Sequence, residues 1–173
     1  LAGDAPKDMA ALANGDRRIE GPSLQNLGIS MFELGDVGAA LQLHTQAREI
    51  FEAMKDPLDA CTSAAREALC HSRLCQADAA LRCVNLLLDR LGGEFATSAL
   101  NNTLDLRWSC QRVLSALGDA RAGDLLAQLV ADAHAHAARR THAADRARLM
   151  QALPTLRGIL ATQGPPGEPP AGG

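Results

Sequence analysis

At 173 residues the chain is long enough for one ordinary domain with a core of its own, needing neither disulfides nor a structural metal. The apolar share is 47% with only 2% aromatic, so the core must be Ala and Leu, and the scarcity of β-branched residues argues for helices and against a sheet. Seventeen basic and twenty acidic residues, interspersed to a net charge of −3, exclude the basic footprint of a nucleic-acid binder, and no apolar run is long enough to span a bilayer.

Cys61, Cys70, Cys75, Cys83 and Cys110 are odd in number and fall within helical patterns, which points to reduced thiols and a cytoplasmic setting. No basic-then-apolar leader opens the chain. The first residue is Leu, so the expectation is a fragment or processed form of a longer protein.

Residues 1–20 are Ala-rich and partly helical in pattern, and end at Gly21-Pro22. Pro22 suits the first turn of a helix, where its missing N–H costs nothing. Leu24, Leu27, Ile29, Met31 and Leu34 then carry the pattern to a break at Gly35-Asp36. Ala39, Ala40, Leu43, Ala47, Ile50 and Phe51 form the stripe of a second helix, which ends near Asp56-Pro57. Further helices are predicted over Leu58–Leu74, Asp78–Leu91, Ser98–Leu117, Ala122–Arg139 and Ala143–Leu160. The segments Cys75-Gln76-Ala77, Gly92-Gly93 and Gly118-Asp119 are the breaks between them. Residues 162–173, TQGPPGEPPAGG, read as a disordered tail.

A shift of 40 places Ala79-Ala80-Leu81 on Ala39-Ala40-Leu41, and a shift of 83 places Leu117-Gly118-Asp119 on Leu34-Gly35-Asp36. Each unit is a helix, a tight turn and a second helix, which buries its faces only by stacking on its neighbours. The best unit, NLGISMFELGDVGAALQLHTQAREIF (residues 26–51), resembles a tetratricopeptide (TPR) repeat. Leu27-Gly28 matches the family's Leu-Gly pair, Gly35-Asp36 its turn, and Ala40 and Ala47 its two small residues; His44 replaces the usual aromatic. Gly28 and Ala40 are expected to let the two helices pack nearly backbone to backbone. The second unit has Glu67-Ala68 and Cys75-Gln76 at the signature positions but keeps Ala80. The third has Cys110-Gln111 and Gly123 but keeps Gly118. Residues 143–160 resemble the terminal helix of TPR regions in large bacterial regulators.

The resemblance implies an all-α superhelix of antiparallel helix hairpins. Its domain would be residues 1–161, with units at about 21–56, 57–93 and 98–139 and a terminal helix at 143–160. It further implies a concave groove lined by the first helix of each unit, taking a peptide or a partner domain. By position, that groove exposes Gln25, Ile29, Phe32 and Glu33, then Ala65, Leu69, Ser72 and Arg73, then Trp108, Arg112 and Ser115. Trp108 beside Arg107 and Arg112 would anchor an apolar side chain while arginines pair with carboxylates, or would simply fill a gap between repeats.

Cys70, His71, Cys75 and Cys83 invite a metal reading, but adjacent helical residues point about 100° apart, so buried free thiols and no metal are expected. His134, His136 and His142, with Arg139 and Arg140, read as a solvated helix end. None of the common nucleotide, hydrolase or metalloprotease motifs is present, and neither enzyme activity nor a cofactor is expected. The function implied is a scaffold-type protein-interaction module. The alternative is a structural or self-associating segment of a larger transcriptional or signalling regulator.

Overall fold

The computed structural model of the chain describes residues 5–93, 100–138 and 154–162. Every regular element among them is an α-helix: α1 (Ala5–Glu33), α2 (Val37–Ala53), α3 (Pro57–Arg73), α4 (Ala77–Gly92), α5 (Leu100–Ala116), α6 (Arg121–Ala138) and α7 (Pro154–Ala161). Consecutive helices pack as antiparallel hairpins, α1 on α2, α3 on α4 and α5 on α6. The hairpins stack through α2 on α3 and through α5 on both α3 and α4, and α7 closes on α5 and α6. No helix among the described residues is long and apolar enough to cross a membrane.

Four turns share one geometry. Asp36, Asp56, Gln76 and Asp119 each donate their amide to the carbonyl five residues back: Met31, Phe51, His71 and Leu114. This bond defines a helix end whose preceding residue is left-handed. Those residues are Gly35 (φ 90°), Lys55 (φ 58°), Cys75 (φ 57°) and Gly118 (φ 68°). The first three stand 20 residues apart, so the period of 40 contains two equal helix-plus-turn halves. Asp36 and Asp56 then cap the next helix by accepting from the amides of Ala39 and Asp59. Ala40, Ala60 and Ala80 follow at the same offset and are buried.

Several expectations are corrected. The break at Gly21-Pro22 is not a helix start: α1 runs through Pro22, which is exposed and borders a shallow depression with Phe51, Met54 and Pro57. Gly21 serves packing instead, since a Cβ there would lie 2.9 Å from Cζ of Phe51. Leu27 is not a packing residue but 45% exposed, because Gly21, Leu24 and Gly28 take the face of α1 turned to α2. Gly28 does not bring backbones together: the atoms nearest its missing Cβ are those of the buried His44 ring, 2.6 to 2.9 Å away. Gly118 has nothing within 4 Å of a built Cβ, so its role is its φ and not packing.

The shift of 83 holds for the third turn but not beyond it. Gly123 is exposed, and the buried stripe of α6 is Leu125, Leu129 and Ala133. Here the turn residue Asp119 is held by Arg121, which donates its amide at 2.9 Å, Nε at 2.9 Å and Nη2 at 2.8 Å. These bonds hold the Asp119 carboxyl down at about 2. The limits of α3 and α4 differ from expectation by a residue, and Pro154–Ala161 is the described part of the predicted last helix. The predicted helix over 143–153 and the tail beyond residue 162 lie outside the described residues.

The larger core joins α3 to α7 through Ala68, Val84, Leu87, Leu106, Leu114, Leu129 and Ile159. A smaller one at the other end joins Ala47, Phe51 and Ala60, with Leu24 against them.

Candidate functional site

On a helix, residues three and four apart share a face. Ile29, Phe32 and Glu33 on α1, Arg66 and Leu69 on α3, and Arg112 on α5 therefore present one face each, and together with His44 of α2 they line a cleft of about 160 Å³. First helices of three successive hairpins thus contribute to one concavity. A larger depression of about 470 Å³ beside Lys55, Asp56 and Arg90 is more open to solvent and lined chiefly by charged side chains at a turn.

The walls are apolar and the rim is cationic. Arg73 adds its guanidinium over the Phe32 ring, 5.3 Å from its centroid, which holds the ring at the edge of the cleft. Arg66 and Arg112 have no ion pair or hydrogen bond among the described residues, whereas Arg48, Arg107 and Arg121 are all paired with acids. Among the described residues Glu33 is the one acid lining the cleft.

His44 lies between α1 and the cleft, 1% exposed, with no hydrogen-bond partner for Nδ1. Burial, and then the nearby Arg66 charge, hold its pKa down at about 4, so it is neutral near pH 7. The unfolded chain takes up this proton from about pH 6.5 downward and the folded chain only near pH 4, so stability falls across that window as pH falls. Between pH 7 and pH 5 the loss from this ring is expected to be about 2 kcal/mol. In urea melts, the gap between wild type and His44→Gln should change by that amount; a gap equal at both pH values would show that the ring does not titrate this way.

Of the predicted groove residues, Ile29, Phe32, Glu33, Leu69 and Arg112 come together here, with Arg73 attached through Phe32. Gln25 does something else: its amide donates to Ser63 Oγ at 2.9 Å and to the Asp59 carbonyl at 3.3 Å, tying α1 to α3. Ala65 is buried, Ser115 is exposed, and Ser72 is half-buried; none lines the cleft. Trp108 is half-buried against the larger core, and its ring meets Gly158 of α7 at 3.8 Å from a built Cβ. Arg107 next to it is bound to Asp132 of α6. Arg66 and His44 were missed. Arg66 stands three residues before Leu69 and seven before Arg73, so helical spacing alone would have found it. His44 belongs to a second helix, and it reaches the cleft only because Gly28 leaves room.

Of the five cysteines, Cys61, Cys70 and Cys110 are buried, Cys83 is half-buried and Cys75 is exposed. Burial pushes Cys70 up to about 11 and Cys110 up to about 12. His71 and Cys83 do approach each other, with Glu67 as their neighbour and not Cys70 or Cys75. Arg139, Arg140 and His142 lie outside the described residues.

Comparison of the chain with protein-family models, curated proteins and solved structures gives no match, so a functional reading rests on the geometry of the cleft.

Proposed function

We propose that the chain is a protein-interaction module of the tetratricopeptide type, whose cleft takes a partner segment bearing a carboxylate beside an apolar side chain. The observation that carries this reading is the pairing of two arginines without a partner among the described residues, Arg66 and Arg112, with the apolar wall of Ile29, Phe32 and Leu69. An apolar pocket supplies the contact area, and a guanidinium fork reads the carboxylate in the right orientation. The neutral His44 ring forms part of the cleft wall without adding a charge to it. This is a binding role without chemistry on the ligand, and it requires no cofactor.

The test uses fluorescence anisotropy with two peptide pools, one rich in Glu-Leu and Asp-Phe pairs and one matched with Gln-Leu and Asn-Phe. The acidic pool should bind, and Arg66→Ala with Arg112→Ala should weaken it at least about thirtyfold, as expected for losing two charge-assisted bonds. Equal binding of the neutral pool, equal binding by the double variant, or no binding of the acidic pool would each reject the reading.

One observation favours a second reading, a self-associating segment of a larger regulator. Ile19, Leu27 and Leu34, 71%, 45% and 79% exposed, fall within one sector of the outer face of α1. Such a stripe fits a second copy of the same face. Sedimentation at two concentrations should then show a dimer that Leu27→Glu dissociates; a monomer at both concentrations removes this reading.

A further inference from the structure

Glu67 and His71 are four residues apart on α3 and so lie one above the other on the same face. That face meets α4 at Cys83. One donor atom from each of the three residues lies within 4.8 Å of the others. Glu67 is buried, while His71 and Cys83 are half-buried, so the cluster has a packed floor and an open side.

Two of the three donors are also oriented. Gln76 Oε1 lies 2.6 Å from His71 Nδ1. With the proton on Nδ1, the imidazole donates to Gln76, which leaves the Nε2 lone pair free. Arg48 donates its Nε to Glu67 Oε1 at 2.7 Å, fixing the carboxylate from behind. Metal-binding histidines and carboxylates take outer partners of these kinds.

The turn itself carries a second, independent mark. Gln76 occupies the cap position of α4 but makes no side-chain cap bond, whereas Asp36 and Asp56 cap α2 and α3 at the equivalent positions. The third member of the series gives up helix capping and engages the histidine.

We propose that Glu67, His71 and Cys83 form a site for a divalent transition-metal ion of the zinc class, with water as the fourth ligand. The mixed carboxylate, imidazole and thiolate set suits a borderline ion and not calcium or magnesium, which prefer oxygen alone. Ligands around a tetrahedral zinc stand about 3.3 to 3.7 Å apart, so the three side chains need to close by no more than about 1.5 Å, within the reach of small χ rotations. Binding displaces the Cys83 thiol proton to solvent and oxidises nothing. The site lies between α3 and α4, outside the cleft, and is independent of the binding role proposed above.

The experiment is a cobalt(II) titration of the reduced, chelator-treated full chain, followed by absorbance and then by zinc displacement. A thiolate-to-cobalt charge-transfer band saturating at one equivalent is expected, together with the intense visible bands of a tetrahedral site. Cys83→Ser should abolish the charge-transfer band, and His71→Ala should weaken binding more than tenfold. Cys75→Ser, which removes an exposed thiol, should change nothing. Gln76→Ala gives a test that does not touch the core: the residue is exposed and caps nothing, and affinity should drop about tenfold through loss of histidine orientation. A band that survives Cys83→Ser, a band lost in Cys75→Ser, affinity unchanged in both His71→Ala and Gln76→Ala, or no saturable band would each overturn the proposal.

Discussion

Gly28→Val is expected to destabilise the protein by about 3 kcal/mol, at the upper end of what overpacking costs. A Cβ at Gly28 would lie 2.6 Å from Cε1 of His44, and that ring is 1% exposed. The clash forces the ring toward the cleft or forces α1 and α2 apart. Gly28→Ala should cost about 1 to 2 kcal/mol, because alanine regains roughly 1 kcal/mol of helix propensity over glycine. The decisive measurement is a double-mutant cycle by urea denaturation. In a His44→Ala background the space is free, so Gly28→Ala should become stabilising by up to about 1 kcal/mol. If Gly28→Ala already stabilises the protein with His44 present, the ring is not locked where it is described.

Removing Arg48 should have an effect of similar size for an electrostatic reason. Glu67 is 6% exposed, and Arg48 is its hydrogen-bonded partner at 2.7 Å. Breaking such a pair from one side leaves a desolvated charge. Arg48 is itself partly exposed, so Arg48→Ala is expected to cost about 2 to 3 kcal/mol in metal-free protein. Loss of the exposed Arg48–Glu52 pair adds little. Burial already pushes the Glu67 carboxyl above its usual range, and without Arg48 it rises further. The folded variant then binds a proton before the unfolded chain does, so the deficit against wild type should shrink as pH falls from 7 toward 5. Arg48→Ala with Glu67→Leu should recover most of the loss. A variant as stable as wild type at pH 7, or a deficit that grows on acidification, would contradict this account of the pair.

What could be read directly from the chain is what depends on local patterning. The Ala and Leu stripes located the helices, because apolar spacing of three and four residues defines one buried face. Gly35-Asp36 and Gly118-Asp119 located turns, because a left-handed residue is cheapest as glycine. Cys75 fills the same left-handed position without glycine. Its turn, predicted at Cys75-Gln76-Ala77 between two helical patterns, has no glycine to mark it. Pro22 misled, since a local rule for helix starts does not register that the turn before the proline is already helical.

The site needed the third dimension. The resemblance to a repeat family put Ile29, Phe32, Leu69 and Arg112 on groove-facing positions, and these four meet at the cleft because each placement required only the face of one helix. Gln25 and Trp108 were carried over in the same way yet point at Ser63 and at Gly158, since a helix face is wider than the cleft it borders. The meeting of Glu67, His71 and Cys83 depends on how far α3 slides along α4 and on the side chain of Gln76 turning back. Local composition sets which segments coil and which edge of each is apolar. Which polar groups from different segments end up within bonding distance is decided only when the hairpins pack, because that distance depends on helix crossing and register, quantities that no single helix encodes.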